Sequence, residues 1–290
     1  MHKGDGRLAV VLTLPVVVIS AAFFLFPLLH SLVISFLDYD LNASSRPWVG
    51  LKNYFSALND PRFRGSLLLT IFLMAVSIAA QMSAGLAIAL TLNRPFPGRA
   101  VVRALILVPW AMPMIACAII WKLMLNSQVG VVNLLLGALG LIDGSVNWLG
   151  PLTAIWSIAM VEVWKWTPLV VVLLLAGLQT IPRELYESAS VDGASRLRTM
   201  LYVTLPMLKG PILIALLLRT IEASRIFDVI YAMTGGGPDN ATKVATYLIY
   251  EVAFTHSQYG MGAAMAYLLT LMIMIPIGGY LYLLRREVRA

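Results

Sequence analysis

Long, almost uninterrupted runs of apolar residues constrain this chain of 290 residues more than any other feature of its sequence. A helix needs about 20 predominantly apolar residues to cross the hydrocarbon core of a bilayer. Since an unpaired backbone group is costly in lipid, runs of this length predict an all-α membrane protein. We predict six transmembrane helices within a single transmembrane domain, 1–290, and their ranges are 8–32, 66–92, 104–125, 152–178, 211–233 and 262–284.

The composition agrees with this prediction. Only 12% of the residues are charged and 60% are hydrophobic, whereas a soluble domain carries about 25% charged residues. The net charge of +7 comes from basic residues at the ends of the apolar runs, so membrane topology explains it better than nucleic-acid binding does. The three histidines are far apart and Cys117 is the single cysteine, so we predict neither a metal site nor an intrachain disulfide.

The first apolar run follows Lys3 and Arg7, which is also how a secretory signal peptide begins. The run is about twice as long as the apolar core of a signal peptide, and no small-residue cleavage motif follows it. We therefore predict that it is the first membrane helix.

The distribution of Lys and Arg predicts the orientation of the chain. Twelve of these residues, from Lys3 to Arg289, lie on one side of the predicted membrane, and five lie on the other. Because the cytoplasmic side is enriched in basic residues, both termini are predicted to be cytoplasmic. We expect the chain to lie among the lipids of a bacterial or archaeal cytoplasmic membrane.

The cytoplasmic connection 180–209 is predicted to form two short helices. Pro182 suits the first turn of a helix, and Glu184 follows near the positive end of its dipole. Gly193 can adopt the positive φ of a turn, and a second helix is predicted over 194–203. Such a hairpin fits a groove on a soluble partner, although an amphipathic hairpin lying on lipid headgroups has the same pattern.

Ionisable residues inside the predicted spans cost at least about 2.5–3.5 kcal/mol each on insertion scales, which makes them candidates for functional residues. The fourth span contains Glu162 and Lys165, and the fifth contains Arg219. Gln81, in the second span, is a weaker polar candidate.

Trp110 and Trp166 lie in the same apolar segments and can form aromatic walls beside these charges. A sugar needs directional hydrogen bonds to its hydroxyls and flat aromatic faces against the apolar side of its ring. This combination predicts a translocation pocket near the middle of the membrane. Alternatively, the charges pair with one another and stabilise the helix bundle.

No segment matches the phosphate-binding loop G-x-x-x-x-G-K-[ST]. If ATP drives transport through this chain, the ATPase must therefore be another polypeptide. We expect no cofactor in this chain, and ATP and Mg²⁺ on partner ATPase subunits.

A motif in the connection 180–209 points to a known family. Its residues follow the spacing of the E-A-A…G…I-x-L-P signature, and they are Glu187, Ser188, Ala189, Gly193, Val203, Leu205 and Pro206. Ser188 replaces an Ala of the signature, and Val203 replaces its Ile. The chain thus resembles the permeases of binding-protein-dependent ABC importers, and Asp192-Gly193-Ala194 is similar to their carbohydrate branch. Residues 48–54 and 234–238 resemble loops of the sugar permeases. The loop 234–238 resembles that of the maltose-type F-like subunit, which is related to the A subunits of importers for trehalose or glycerol 3-phosphate.

The resemblance implies a permease subunit, not an enzyme, that imports a sugar by alternating access. It also implies a second homologous permease, two ATPase subunits and an extracytoplasmic substrate-binding protein or lipoprotein. The hairpin is then expected to dock on an ATPase and to transmit its motion through five residues: Glu187, Ser188, Ala189, Asp192 and Gly193.

The resemblance also implies where the substrate passes, namely along the helix before the hairpin, the helix after it and a proline-flanked aromatic earlier in the chain. The matching positions are Trp110, Met114, Glu162, Lys165, Trp166, Leu169, Arg219, Ala223 and Ile226. Most of them depart from the maltose pattern by carrying charge or other changes. We therefore expect another disaccharide, such as trehalose, or a related oligosaccharide, with glycerol 3-phosphate or a glycerophosphodiester as the alternative.

Two other classes of membrane protein were weighed. An ion-coupled secondary transporter can use Glu162 or Asp228 as a proton site, but it leaves the hairpin without a role, and the chain shows no clear repeated halves. A membrane-embedded enzyme needs clustered His, Cys or carboxylate groups, which the sequence does not provide.

Overall fold

The computed structural model describes the backbone of residues 3–288 and the side-chain environments of residues 12–287. Within this part of the chain the regular structure is helical, with two isolated β-bridges, Leu37 to Trp48 and Asp40 to Gln258. The prediction of an all-α chain is confirmed. Arg289 and the side chains of Lys3 and Arg7, which contributed to the predicted orientation, lie outside the described residues.

The α-helices differ widely in length, and three short π-helical segments continue some of them. In chain order the α-helices are α1 (Lys3–Ser20), α2 (Phe26–Ser35), α3 (Lys52–Asn59), α4 (Pro61–Asn93), α5 (Arg99–Ala111), α6 (Met114–Met124), α7 (Val131–Ala138), α8 (Ala154–Thr180), α9 (Arg183–Val191), α10 (Arg196–Thr199), α11 (Leu205–Met207), α12 (Lys209–Ser224), α13 (Asp228–Met233), α14 (Ala245–Tyr250) and α15 (Tyr259–Val288). The π-helical segments are Ala21–Leu25, Met200–Thr204 and Glu251–Thr255.

Four described helices are long and apolar enough to cross a membrane: Leu12–Ser35, α4, α8 and Tyr259–Glu287 of α15. Two bent pairs also qualify when each pair is taken together, namely α5 with α6, and Arg196–Met207 with α12. The described chain therefore has four candidate spans, or up to six if each bent pair is one span. This agrees with a multi-pass membrane protein, while the count of six and the cytoplasmic termini stay predictions.

The predicted span 104–125 is wrong as a single helix. α5 ends at Ala111, α6 begins at Met114, and their axes differ by 97°. Pro113 explains the break, because a proline disfavours the helical conformation of the residue before it. Met112 accordingly adopts extended angles, with φ −76° and ψ 145°.

The predicted span 211–233 is also divided, and here no proline or glycine marks the position. α12 ends at Ser224, and α13 begins at Asp228. Phe227, with φ −138° and ψ −54°, lies outside the helical region and precedes the new start. The acidic Asp228 at the first position of α13 is favourable, since a helix N-terminus stabilises negative charge.

The chain packs as two compact units, and the first comprises the chain up to Gly65 together with Leu248–Thr270. In this unit the side-chain amide of Asn53, on α3, donates to the carbonyls of Ser35 and Leu37, both at 2.9 Å. The first bond satisfies a carbonyl at the C-terminal end of α2, where the last carbonyls have no partner inside the helix, and the second satisfies a carbonyl two residues beyond that end.

The second unit comprises Ser66–Tyr247 and the chain from Leu271 onward, and α8 runs through its core. α8 contributes Ile158 and Val161 to one buried apolar cluster, and Val170 and Leu174 to another. Its Gly177 lies so close to α12 that an added Cβ would be 2.5 Å from Cγ of Pro211.

We expect Gly177→Ala to lower the free energy of unfolding by about 1–3 kcal/mol, because the new methyl group overlaps the rigid ring of Pro211. Gly137→Ala is the matched control, since a Cβ at Gly137 of α7 has no heavy atom within 4 Å. There alanine should raise stability by about 0.5–1 kcal/mol, because glycine is a poor helix former. Thermal unfolding of the purified protein measures both variants, and equal midpoints would contradict the close approach of α8 to Pro211.

Candidate functional site

Arg219 is the centre of a polar cluster inside the apolar second unit. Its side chain is fully buried, and its Nε donates a hydrogen bond of 2.7 Å to Oε1 of Gln81. The amide Nε2 of Gln81 in turn donates to the backbone carbonyl of Glu162, at 3.1 Å. The Arg219 Nη2 lies 3.8 Å from Oε2 of Glu162. These contacts join α4, α8 and α12.

The guanidinium of Arg219 also lies over an aromatic ring. Its Cζ is 4.6 Å from the ring centroid of Trp166, within the range of a cation–π interaction. Within the described part of the chain, neither Nη1 nor Nη2 has a hydrogen-bond acceptor. A guanidinium carries five N–H donors, and buried donors without acceptors are costly. Arg219 therefore has buried N–H donors that no acceptor in the described residues satisfies.

Lys165 shares one contact with Arg219, since its Nζ lies 5.6 Å from the ring centroid of Trp166, but its hydrogen bonds differ. Only 3% of its surface is exposed. Its Nζ donates to the carbonyls of Pro109 at 2.9 Å, Trp110 at 2.8 Å and Met112 at 2.5 Å. These three carbonyls lie at or just after the C-terminal end of α5, where the chain breaks before α6. Lys165 thus connects α8 to the break.

The other predicted pathway residues divide into two groups. Ala223 and Ile226 are buried, and Ile226 belongs to the first apolar cluster. Met114, Trp166 and Leu169 are partly buried, and Trp110 is 45% exposed. The structure therefore brings Glu162, Trp166 and Arg219 into one group of contacts, and it links Trp110 to Lys165 through a main-chain carbonyl.

Gln81 is more central than the sequence analysis indicated. It hydrogen-bonds to both Arg219 and Glu162, and it is fully buried. The available signal was the position of an amide side chain within a long apolar run. A sequence pattern does not show which residues on other helices a buried amide contacts, so its role was missed.

The segment predicted as a hairpin contains two helical arms. The first arm is α9, and Gly193 follows it with φ +69°, a left-handed conformation that glycine adopts without strain. The backbone N–H of Ala194 donates to the carbonyl of Ala189 at 2.9 Å, which closes the turn. The second arm runs from Arg196 through the π-helical segment to Met207. It is therefore longer than predicted, since the backbone stays helical beyond the expected end at 203 and includes Leu205 and Pro206.

The five residues expected to contact an ATPase lie on this hairpin. Glu187, Ser188, Asp192 and Gly193 are exposed, and Ala189 is partly buried. Large apolar side chains are exposed nearby, including Val191 at 87% and Tyr202 at 79% of their surface. An exposed patch of this kind is typical of an interaction surface.

Comparison with known proteins identifies the family. The family described as "Binding-protein-dependent transport system inner membrane component" matches residues 81–289. The chain belongs to this family. As predicted, it is a transport permease and not an enzyme.

Two curated relatives cover most of this permease. A trehalose/maltose transport system permease protein, MalF, of Thermococcus litoralis is 40% identical over 272 residues, which are 93% of this chain and 91% of the relative. A sulfoquinovosyl glycerol transport system permease protein, SmoG, of Agrobacterium fabrum is 33% identical over 288 residues, which are 99% of this chain and 93% of the relative. The predicted resemblance to sugar importer permeases is confirmed.

A solved structure shows the same fold. A chain of a bacterial ABC transporter involved in the import of the acidic polysaccharide alginate superimposes with a TM-score of 0.84. The match covers 98% of this chain and 96% of the other, at 22% sequence identity. The overall arrangement of helices therefore has a close counterpart in this solved chain.

We expect Gln81→Met to lower the free energy of unfolding of the permease by about 1–3 kcal/mol, because it leaves Nε of Arg219 buried without its acceptor. The double variant Gln81→Met/Arg219→Met removes both partners. It should therefore be less destabilised than the sum of the single variants, with a coupling of about 0.5–3 kcal/mol.

Thermal unfolding measures this cycle. Ser83→Ala is the control on α4, since the Ser83 hydroxyl is exposed and bonds only within its own helix, to the carbonyl of Ala79. Additive single effects would show that Gln81 and Arg219 do not depend on each other.

Proposed function

We propose that this permease imports a disaccharide such as trehalose, or a related oligosaccharide, along a pathway bounded by the cluster around Arg219. The observation that carries the proposal is the pair formed by Arg219 and Trp166, in which buried N–H donors lie beside an aromatic face. Sugar hydroxyls accept hydrogen bonds from such donors, and the apolar face of a pyranose packs on an aromatic ring. The Thermococcus relative, named for trehalose and maltose, supports this substrate class.

In this proposal the predicted pathway residues have different tasks. Trp110, Met114, Trp166 and Leu169 are the partly exposed or exposed members, and they form the apolar and aromatic wall. Glu162 and Arg219 lie behind this wall and reach the substrate through their polar atoms when the helices rearrange. Three positions support the wall from within the helices: Lys165, Ala223 and Ile226.

A glycerol compound that carries an anionic group is the second candidate, and the relative named for sulfoquinovosyl glycerol favours it. The local charges favour the neutral sugar. The Nζ of Lys165 already donates to three carbonyls, and the carboxylate of Glu162 lies 3.8 Å from the Arg219 guanidinium. An anion at Arg219 would therefore be repelled by Glu162.

We further propose that the pathway is completed by a second homologous permease, and that two ATPase subunits binding ATP and Mg²⁺ drive transport. A substrate-binding protein would deliver the sugar on the exported face. We propose six spans with both termini in the cytoplasm, an orientation in which the hairpin would lie on the ATPase side. The hairpin directly joins α8, which carries Trp166, to α12, which carries Arg219. Movement of the hairpin is thereby transmitted to both sides of the pair, which is a structural basis for alternating access.

Gly193→Pro tests the role of the hairpin. Proline fixes φ near −65°, which is incompatible with the observed +69°, so the turn should not form and uptake should fall by more than about tenfold. Gly193→Asn is the matched control, because asparagine tolerates the left-handed region and a Cβ at Gly193 meets nothing within 4 Å. Uptake in proteoliposomes and co-purification of the ATPase are measured together. Normal uptake by Gly193→Pro would contradict the coupling role.

A substrate panel tests the proposed cargo. The permease is reconstituted in proteoliposomes with its cognate subunits and binding protein, and ATP hydrolysis is measured with trehalose, maltose, sulfoquinovosyl glycerol and a glycerophosphodiester. We expect the largest stimulation with trehalose or a related disaccharide. Stimulation by the anionic glycerol compounds alone would favour the second candidate, and stimulation by none of the four would contradict both.

A further inference from the structure

The break between α5 and α6 needs hydrogen-bond partners that the two helices do not provide. The last carbonyls of a helix have no partner within it, and the bilayer core offers no water to replace one. Pro113 has no N–H, so it cannot bond to the carbonyl of Pro109, four residues earlier. The N–H of Met112 reaches the Pro109 carbonyl only at 3.4 Å. The end of α5 therefore requires a donor from another element.

Lys165 supplies that donor from α8. A lysine ammonium carries three N–H donors, and the three bonds to the carbonyls of Pro109, Trp110 and Met112 use all of them. A cation is also favourable at a helix C-terminus, because the helix dipole places partial negative charge there. The charge and the donors of this buried side chain are thus both matched to the end of α5.

We propose that Lys165 is a positioning residue that fixes the break between α5 and α6, and that it does not itself bind the substrate. Its three donors leave no N–H for a sugar hydroxyl or a phosphate. Trp110 is one of the residues whose carbonyl it holds, and Met114 begins the helix on the other side of the break. If Trp110 and Met114 form part of the pathway wall, Lys165 also determines the shape of that wall. This consequence rests on the proposed function.

A second lysine gives a matched comparison. Lys122, on α6, donates a single bond of 3.1 Å to the carbonyl of Ala232 on α13. It is exposed and lies near the C-terminal end of α6, away from the break. Removing Lys122 deletes the same type of lysine–carbonyl bond without touching the carbonyls at the end of α5.

Hydrogen–deuterium exchange of the intact transporter complex, without substrate, tests the role of Lys165. In Lys165→Met we expect the amides of residues 110–112 and 114–117 to exchange about tenfold faster or more, because charge-assisted hydrogen bonds to the break are lost. Lys165→Gln retains two N–H donors and should give a smaller increase. Lys122→Met should leave residues 110–117 as in the unmodified protein, and peptides from the middle of α4 should be unchanged in every variant.

Unchanged exchange at 110–117 in Lys165→Met would overturn the proposal. If Lys165→Met does not assemble, Lys165→Gln decides in the same way. Exchange is measured without substrate, so it does not depend on which sugar is carried. Faster exchange with an unaltered substrate preference would retain the positioning role and contradict the proposed wall. A changed preference with unaltered exchange would instead make Lys165 a substrate contact.

Discussion

A guanidinium buried among apolar helices must be given partners by the protein, because the bilayer core supplies none. Arg219 obtains them from two other helices. Gln81 of α4 accepts a hydrogen bond from its Nε, while Glu162 and Trp166 of α8 lie beside the rest of its head group. The positions of α4, α8 and α12 within the second unit depend on this arrangement. Its terminal nitrogens have no acceptor in the described part of the chain, and the proposed contact of Arg219 with a substrate depends on these donors.

A similar requirement applies at the broken helix pair. Pro113 ends α5 and turns the chain by 97°, which exposes carbonyls that a continuous helix would have satisfied. Lys165, on the unbroken α8, satisfies them. In both places a polar side chain on one helix forms hydrogen bonds with buried polar groups of another helix that would otherwise lack partners. The charged residues of α8 are therefore explained by the backbone and side chains they contact, and the proposed substrate pathway lies against the surface that they organise.

The sequence was informative where apolar length alone determines the structure. The predicted spans 66–92 and 262–284 lie within α4 and α15, and 152–178 lies within α8 except for its first two residues, because each of these is one long apolar helix. Prediction failed for 104–125 and 211–233, where the helix breaks while the apolar run continues. Pro113 is the visible signal for the first break, since a proline disfavours the helical conformation of the residue before it. The second break, at 225–227, has no proline or glycine, and tertiary packing decides it.

The functional assignments show the same limit. A motif spread over 187–206 identifies the family, because its spacing depends on local turn geometry that the sequence contains. Charges within the spans identified the neighbourhood of Glu162 and Arg219. Neither the contacts of Gln81 nor the three carbonyls held by Lys165 were predictable, since both depend on how separate helices face one another.

A structure of the complete transporter, with the proposed disaccharide occluded between this chain and the proposed second permease, is the most direct measurement of the central claim. The account predicts a sugar hydroxyl within hydrogen-bond distance of the terminal nitrogens of Arg219, and a pyranose ring close to Trp166. A sugar bound elsewhere, with Arg219 still contacting only Gln81, Glu162 and Trp166, would show that the cluster only stabilises the helices and would contradict the proposed pathway.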